Sequence, residues 1–226
     1  MQNNNNKKSL EKQAPDISLG EFVLGELRAA IRNQRYQPGQ RIREAEVADW
    51  LGVSRTPVRE AFRRLQADGL ILLTRWRGAE VAELNREQVI ELYAMRRVLE
   101  GTAAGLAAEH ASQNEIDLLF DLLNRDKAAS GDPDRLADLN RMFHEALYGA
   151  AHNRYLLKAL NSLGDSLALL RSTTYEVPGR AAAAHADHIS IATAIKSHDR
   201  NAAEKAAQRH IATAVKARIE LLFGAE

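Results

Sequence analysis

Gly52-Val53-Ser54-Arg55-Thr56-Pro57-Val58-Arg59-Glu60-Ala61 reads as the entry to a helix suited to the major groove of DNA. Ser54 stands at the N-cap position, where its hydroxyl can accept from the backbone N–H two residues on. Pro57 falls in the first turn, where a missing N–H costs little. Arg55, Arg59 and Arg63 recur at i, i+4 and i+8, so they project from one side of the helix. A guanidinium there can hold guanine O6 and N7, or a phosphate, through two N–H donors. The same spacing also suits a solvated arginine-rich face, and the flanking segments decide between the two.

Upstream, residues 17–33 have helical periodicity, with Phe22, Leu27 and Ile31 near one stripe and Leu19, Val23 and Ala30 beside it. Tyr36-Gln37-Pro38-Gly39 is a turn signal. A short helix follows over 44–51, with Val47, Ala48 and Leu51 inward, and Gly52 ends it. The opening stretch then begins a helix over 54–68 that buries Val58, Ala61, Phe62 and Leu65. Beyond Gly69 the period changes to that of strands. Leu70-Ile71-Leu72-Leu73-Thr74, a basic tip Arg75-Trp76-Arg77-Gly78 and the alternating Ala79-Glu80-Val81-Ala82-Glu83-Leu84 make a hairpin. Three short helices followed by a hairpin, with a three-residue turn between the second and third, match a winged helix-turn-helix.

From residue 85 strand signal nearly vanishes. Segments 86–111, 113–130, 133–151, 154 to about 173, 180–197 and 201–223 read as six helices of an all-α antiparallel bundle, the kind of interior that holds ligands or metals. The chain is therefore mainly α, with a polar tail over 1–16 expected to be disordered, a DNA-binding domain over 17–84 and a helical domain over 85–226.

Charge and composition narrow the function. Net charge is only +1, but residues 17–84 carry 11 Arg against 9 acids and residues 85–226 carry 17 Lys and Arg against 19 acids. DNA binding would rest on where arginines sit more than on bulk charge. The absence of cysteine excludes disulfides, cysteine zinc ribbons and thiol nucleophiles, and suits a reducing cytoplasm. No run approaches the roughly 18–20 apolar residues of a membrane span, and no apolar segment follows Lys7 and Lys8 as a signal peptide requires.

With these residues in view, the chain resembles the GntR family of bacterial transcription regulators, in its FadR subfamily with an all-helical ligand-sensing FCD domain. The first half carries the likeness as Ala48-x-x-Leu51-Gly52-Val53-Ser54-Arg55-Thr56-Pro57-Val58-Arg59-Glu60-Ala61-x-x-x-Leu65-x-x-x-Gly69-Leu70, then Arg77-Gly78-Ala79-x-Val81. The second half carries it as Arg96-x-x-Leu99-Glu100, Asn140-x-x-Phe143-His144 and His188-x-x-Ile191-x-x-Ala194-Ile195-x-x-x-Asp199, with His210-Ile211 later. The resemblance implies a cytoplasmic bacterial regulator, commonly a repressor, that binds a near-palindromic operator as a homodimer. By matched position, Ser54, Arg55, Thr56 and Arg59 face the groove and its phosphates, and Arg77 and Gly78 reach DNA from the wing. Relatives often carry arginine where this chain has Ala45, and Arg43 is the substitute at hand.

His188 and His210 each lie 11 residues from Asp199, so in a helical hairpin both sit at one height, about 16 Å from the turn. Asn140 and His144, at i and i+4, share a helix face. Three imidazoles and a carbonyl oxygen can close around a divalent metal such as zinc or nickel, although each histidine also fits a hydrogen-bonded core or surface position. Metal-binding relatives usually carry Asp where this chain has Asn140, a weaker and uncharged ligand. Arg96 matches a family position that can hold a small-acid effector's carboxylate; pairing with an acid alone is the competing role. His185 is a spare candidate, and His110, His152 and His198 fall at helix ends. An enzyme is disfavoured, because His144-Glu145 lacks the remaining histidine of HExxH and no phosphate loop appears. An architectural DNA binder with a purely structural metal is the other alternative.

Overall fold

A computed structural model of the 226-residue chain describes residues 17–74, 78–129, 131–170 and 172–224. The expected disordered tail over 1–16 lies outside the described residues. The chain divides into two compact units, Met1–Glu83 and Leu84–Glu226.

The first unit is a winged helix-turn-helix. Helix α1 (Leu19–Arg32) starts at Ser18, whose hydroxyl accepts the Glu21 N–H at 3.2 Å. Its buried stripe is Val23, Leu24, Leu27, Ala30 and Ile31, while Leu19 and Phe22 are exposed. The stripe is thus rotated by about one residue from the expected one, because Leu24 rather than Phe22 completes the i, i+3, i+7 row through Leu27 and Ile31. Strand β1 (Arg41–Ile42) was not expected, since two residues carry no readable period. Helices α2 (Glu44–Leu51) and α3 (Arg55–Ala67) flank Gly52, whose φ of +66° closes α2 in the left-handed region. Helix α3 buries Pro57, Val58, Ala61, Phe62 and Leu65. Strands β2 (Ile71–Thr74) and β3 (Gly78–Val81) pair antiparallel, and β1 joins the far edge of β3 to give the order β1-β3-β2.

The second unit is a bundle of six α-helices among the described residues. They are α4 (Arg86–His110), α5 (Gln113–Ala128), α6 (Pro133–Ala150), α7 (Arg154–Leu167), α8 (Arg180–Lys196) and α9 (Arg200–Phe223). Asn85 with Gln88, and Ser112 with Glu115, form reciprocal capping boxes for α4 and α5. Asp132, Asn153 and Asp199 cap α6, α7 and α9 through side-chain oxygens. Helix α7 stops at Leu167, short of the expected end near 173, and a 3-10 turn over Thr174–Glu176 leads to α8. The long α4 packs along α9 and against α8 through small residues, with Ala104, Ala107, Ala108, Ala203 and Ala207 in one core with Phe143, Ile191 and Ile195. The approach is close: a Cβ added to Gly101 would lie 2.8 Å from Gln208 Cγ. Among the described residues no helix is long and apolar enough to cross a membrane.

Candidate functional site

In the first unit the amphipathic α3 separates its residues cleanly. Pro57, Val58, Ala61, Phe62 and Leu65 face the core, and Ser54, Arg55, Thr56, Arg59 and Arg63 are exposed. Ser54 occupies the N-cap with φ −73° and ψ 166°, yet its hydroxyl makes no capping hydrogen bond, contrary to expectation. Pro57 explains much of this. It stands at the third helical position and lacks one of the two N–H groups an N-cap oxygen receives. The Ser54 hydroxyl therefore remains exposed beside Arg55 and Thr56.

Arg59 Nε meets Glu44 Oε2 at 2.8 Å, bracing α3 against the first turn of α2. Arg43 Nη1 meets Glu46 Oε1 at 3.1 Å. Both pairs are solvent-exposed, the class worth about 0.2–1 kcal/mol, so either arginine can exchange its carboxylate for a phosphate. Gly78 opens β3 with φ +81°, a conformation that disfavours any side chain there. Arg77 lies outside the described residues.

The second unit gathers His144 from α6, His188 from α8 and His210 from α9. One ring nitrogen of each lies within 4.8 Å of the other two, and all three residues are buried. His188 Nε2 and His210 Nε2 are 3.3 Å apart. The helical hairpin of α8 and α9 produces this meeting, as the equal spacing about Asp199 implies. His210 also presents Nδ1 to Asp187 Oδ2 at 3.3 Å, an arrangement that places its proton on Nδ1 and turns the Nε2 lone pair toward His188. Burial drives the His210 pKa down to about 4, partly offset by the Asp187 hydrogen bond. Burial, and then the nearby His210 and His144, hold His188 well below the ordinary histidine range. Both rings are therefore neutral at pH 7, the form that donates to a metal.

These residues fit a divalent ion. Two nitrogens each about 2.0–2.1 Å from one ion, at tetrahedral to octahedral angles, stand roughly 2.8–3.4 Å apart, and the His188–His210 separation falls in that range. His144 has both ring nitrogens buried, and its Nε2 has no hydrogen-bond partner. Its Nδ1 faces Glu100 Oε2 at 3.0 Å, a contact that helps hold the Glu100 carboxyl low. Asn140, one turn before His144, accepts the Tyr175 hydroxyl on its Oδ1 at 3.1 Å. An amide oxygen has a second lone pair, so this bond leaves one for a metal.

Arg96 is buried against the same centre. Its Nε donates to Glu100 Oε1 at 2.7 Å, and its guanidinium carbon lies 4.6 Å from the Tyr93 ring. Burial pushes the Glu100 carboxyl up, but Arg96 and His144 outweigh it and keep the group ionised far below the usual carboxylate range. Glu100, Asp187, Tyr175 and Arg180 had no assigned role in the sequence. Glu100 was detectable as the i+4 partner of Arg96, and Asp187 as the residue before His188. Tyr175 and Arg180 sit in and after an aperiodic connection, which offers no such cue. Three other histidines have partners outside the triad. His185 Nδ1 pairs with Asp126 Oδ2 at 2.6 Å, His152 Nε2 with a Glu115 oxygen at 3.0 Å, and His198 Nδ1 with the Ala108 carbonyl at 2.9 Å.

Comparison with known proteins agrees with both units. Residues 19–81 match the bacterial regulatory proteins of the gntR family, and residues 91–213 match the FCD domain. The probable D-xylose utilization operon transcriptional repressor of Paenarthrobacter nicotinovorans is 35% identical over 208 residues, 91% of this chain and 89% of that protein. The uncharacterized HTH-type transcriptional regulator YdhC of Bacillus subtilis (strain 168) is 32% identical over 188 residues, 82% of this chain and 84% of that protein. Among solved structures, E. coli McbR/YncC shares the fold with a TM-score of 0.77 at 23% identity, covering 91% of this chain and 99% of that one. These relatives are transcriptional regulators rather than enzymes, and the chain belongs with them to the GntR family, a DNA-binding winged helix followed by an FCD domain.

Proposed function

We propose that this regulator is a cytoplasmic homodimer that represses transcription from a near-palindromic operator, and that a small carboxylate acting with a divalent metal in the bundle sets its affinity for DNA. Residues 17–84 would read the operator and residues 85–226 would dimerise and sense the effector. The observation that carries the sensing half is the buried triad of His144, His188 and His210, whose ligand atoms lie within 4.8 Å of one another. Zinc and nickel both accept such imidazoles, with Asn140 as a neutral fourth donor. On the DNA side, Ser54, Arg55, Thr56 and Arg59 of the exposed α3 face supply groove and phosphate contacts. Arg43 stands in the helix-turn-helix beside Ala45, and Arg77 with Gly78 belongs to the wing. Two-fold symmetry of a dimer places two such faces on related half-sites.

Elemental analysis of protein purified without chelator tests the metal, and gel-shift titration of operator with zinc, nickel and a panel of small carboxylates tests the response. About one metal per chain and a carboxylate-dependent change in operator affinity are expected. Protein that purifies metal-free and is unmoved in melting temperature by zinc or nickel would remove the metal. Operator affinity indifferent to every acid would favour the architectural alternative.

A further inference from the structure

We infer that Arg180, not Arg96, is the residue that grips the effector's carboxylate. The inference rests on the effector reading above and changes which side chain carries it. Buried side-chain atoms without a hydrogen-bond partner are few among the described residues. Glu100 Oε2 and His144 Nδ1 face each other at 3.0 Å, which leaves His144 Nε2 and Arg180 Nε and Nη1 as the buried atoms of the bundle that lack a counterpart. Buried polar groups are normally satisfied, so such atoms mark a place built to receive a polar guest. Its cationic side is Arg180, the first residue of α8, which is only 6% exposed.

The two arginines differ in what they have left to offer. Arg96 already donates Nε to Glu100 at 2.7 Å, and its guanidinium lies over Tyr93. Breaking that pair would strand a buried carboxylate. Arg180 has no such partner at Nε or Nη1. The acid in its field is Asp187, and that carboxylate is engaged by His210. A guanidinium remains charged at any pH a protein tolerates, so Arg180 cannot escape its burial by losing its proton as a lysine would. Arg180, Ala184 and His188 are buried at i, i+4 and i+8, so Arg180 shares the face of α8 that carries His188, about 12 Å along its axis, and its charge also bears on His188 and His210. A small carboxylate lying between Arg180 and the triad would supply oxygens to the Arg180 fork on one side and to the histidine-bound metal on the other.

The test uses the full chain, dialysed, as wild type, Arg180→Met and Arg180→Lys, with citrate and succinate as probes and zinc present throughout. Thermal melts of the dialysed proteins come first. A binding arginine held without a partner should cost stability, so Arg180→Met should melt higher than wild type. A structural arginine would make it melt lower, and that result would overturn the inference. Calorimetric titration comes second. Wild type should bind at least one acid, Arg180→Met should weaken that binding at least tenfold, and Arg180→Lys should recover only part of it because it lacks the fork. Zinc affinity should be unchanged in both variants. Equal acid affinity in wild type and Arg180→Met would sink the Arg180 assignment alone, whereas no acid binding by wild type would sink the effector reading and this assignment together.

Discussion

The basic face of α3 keeps its charges in water, whereas the histidine centre keeps its charges buried, and the two regions consequently tolerate change differently. On α3 each arginine is exposed and the pairs of Arg59 with Glu44 and Arg64 with Glu21 are weak surface contacts, so contributions to DNA binding should be separable. In the bundle, Arg96, Glu100, His144, His188, His210 and Asp187 form one buried chain of contacts. Removal of one member leaves another exposed to the full cost of burial without compensation.

The largest expected effect therefore lies in the bundle. Glu100→Ala leaves Arg96 buried and uncompensated, and breaking a buried pair in this way costs about 3–5 kcal/mol. Urea unfolding followed by far-UV circular dichroism measures it. A loss under about 1 kcal/mol would place Glu100 in the surface class of ion pair and dissolve the contrast.

Acid should separate the regions next. All seven histidines follow residue 109, and both tryptophans, Trp50 and Trp76, precede residue 84. His210 titrates near 6.5 when unfolded and at about 4 when folded, so between those values the unfolded chain binds the extra proton. Stability of the bundle is then full above pH 6.5 and falls as pH drops toward 4, on the order of 1 kcal/mol per pH unit for this histidine alone. His188 is depressed in the same direction and adds to the loss. Helical signal should weaken in that window before tryptophan emission reports any change. Coincident loss of both signals from the outset would remove the distinction.

Much of this was legible in residue spacing. The N-cap of α3, the glycine after α2, six bundle helices and the equal arms from Asp199 to His188 and His210 are local or periodic features, which a sequence displays directly. The centre's supporting residues were less legible because their meaning depends on packing. Arg96 offered the spacing of an ion pair with Glu100 and a family position for an effector, and only the fold shows that the pair is made and buried. Arg180 follows a connection with no period, and strand β1 is too short to have one. The hydroxyl of Ser54 does not cap as its position suggests, because the proline that helps start α3 also withdraws one of that hydroxyl's backbone partners.

Smaller effects belong to the exposed face. Arg59→Ala should weaken specific operator binding by about 1–3 kcal/mol if the guanidinium reads a base. Titration against operator and against a scrambled duplex distinguishes the roles: an equal loss on both assigns Arg59 to phosphate, and no loss on either removes it from the interface.

Ser54→Ala gives the smallest change in stability and the most selective one. An N-cap serine that caps typically contributes about 1 kcal/mol. Here the hydroxyl makes no capping bond and is exposed, so replacement should cost under about 0.5 kcal/mol. If the same hydroxyl donates to a phosphate, operator affinity should still fall by the worth of one hydrogen bond, about 0.5–1.5 kcal/mol. A variant with unchanged melting temperature and weaker DNA binding would show that the proline at the third position frees the serine for the groove. A variant that melts several degrees lower would show instead that the hydroxyl caps α3 after all, and that its part in DNA binding is indirect.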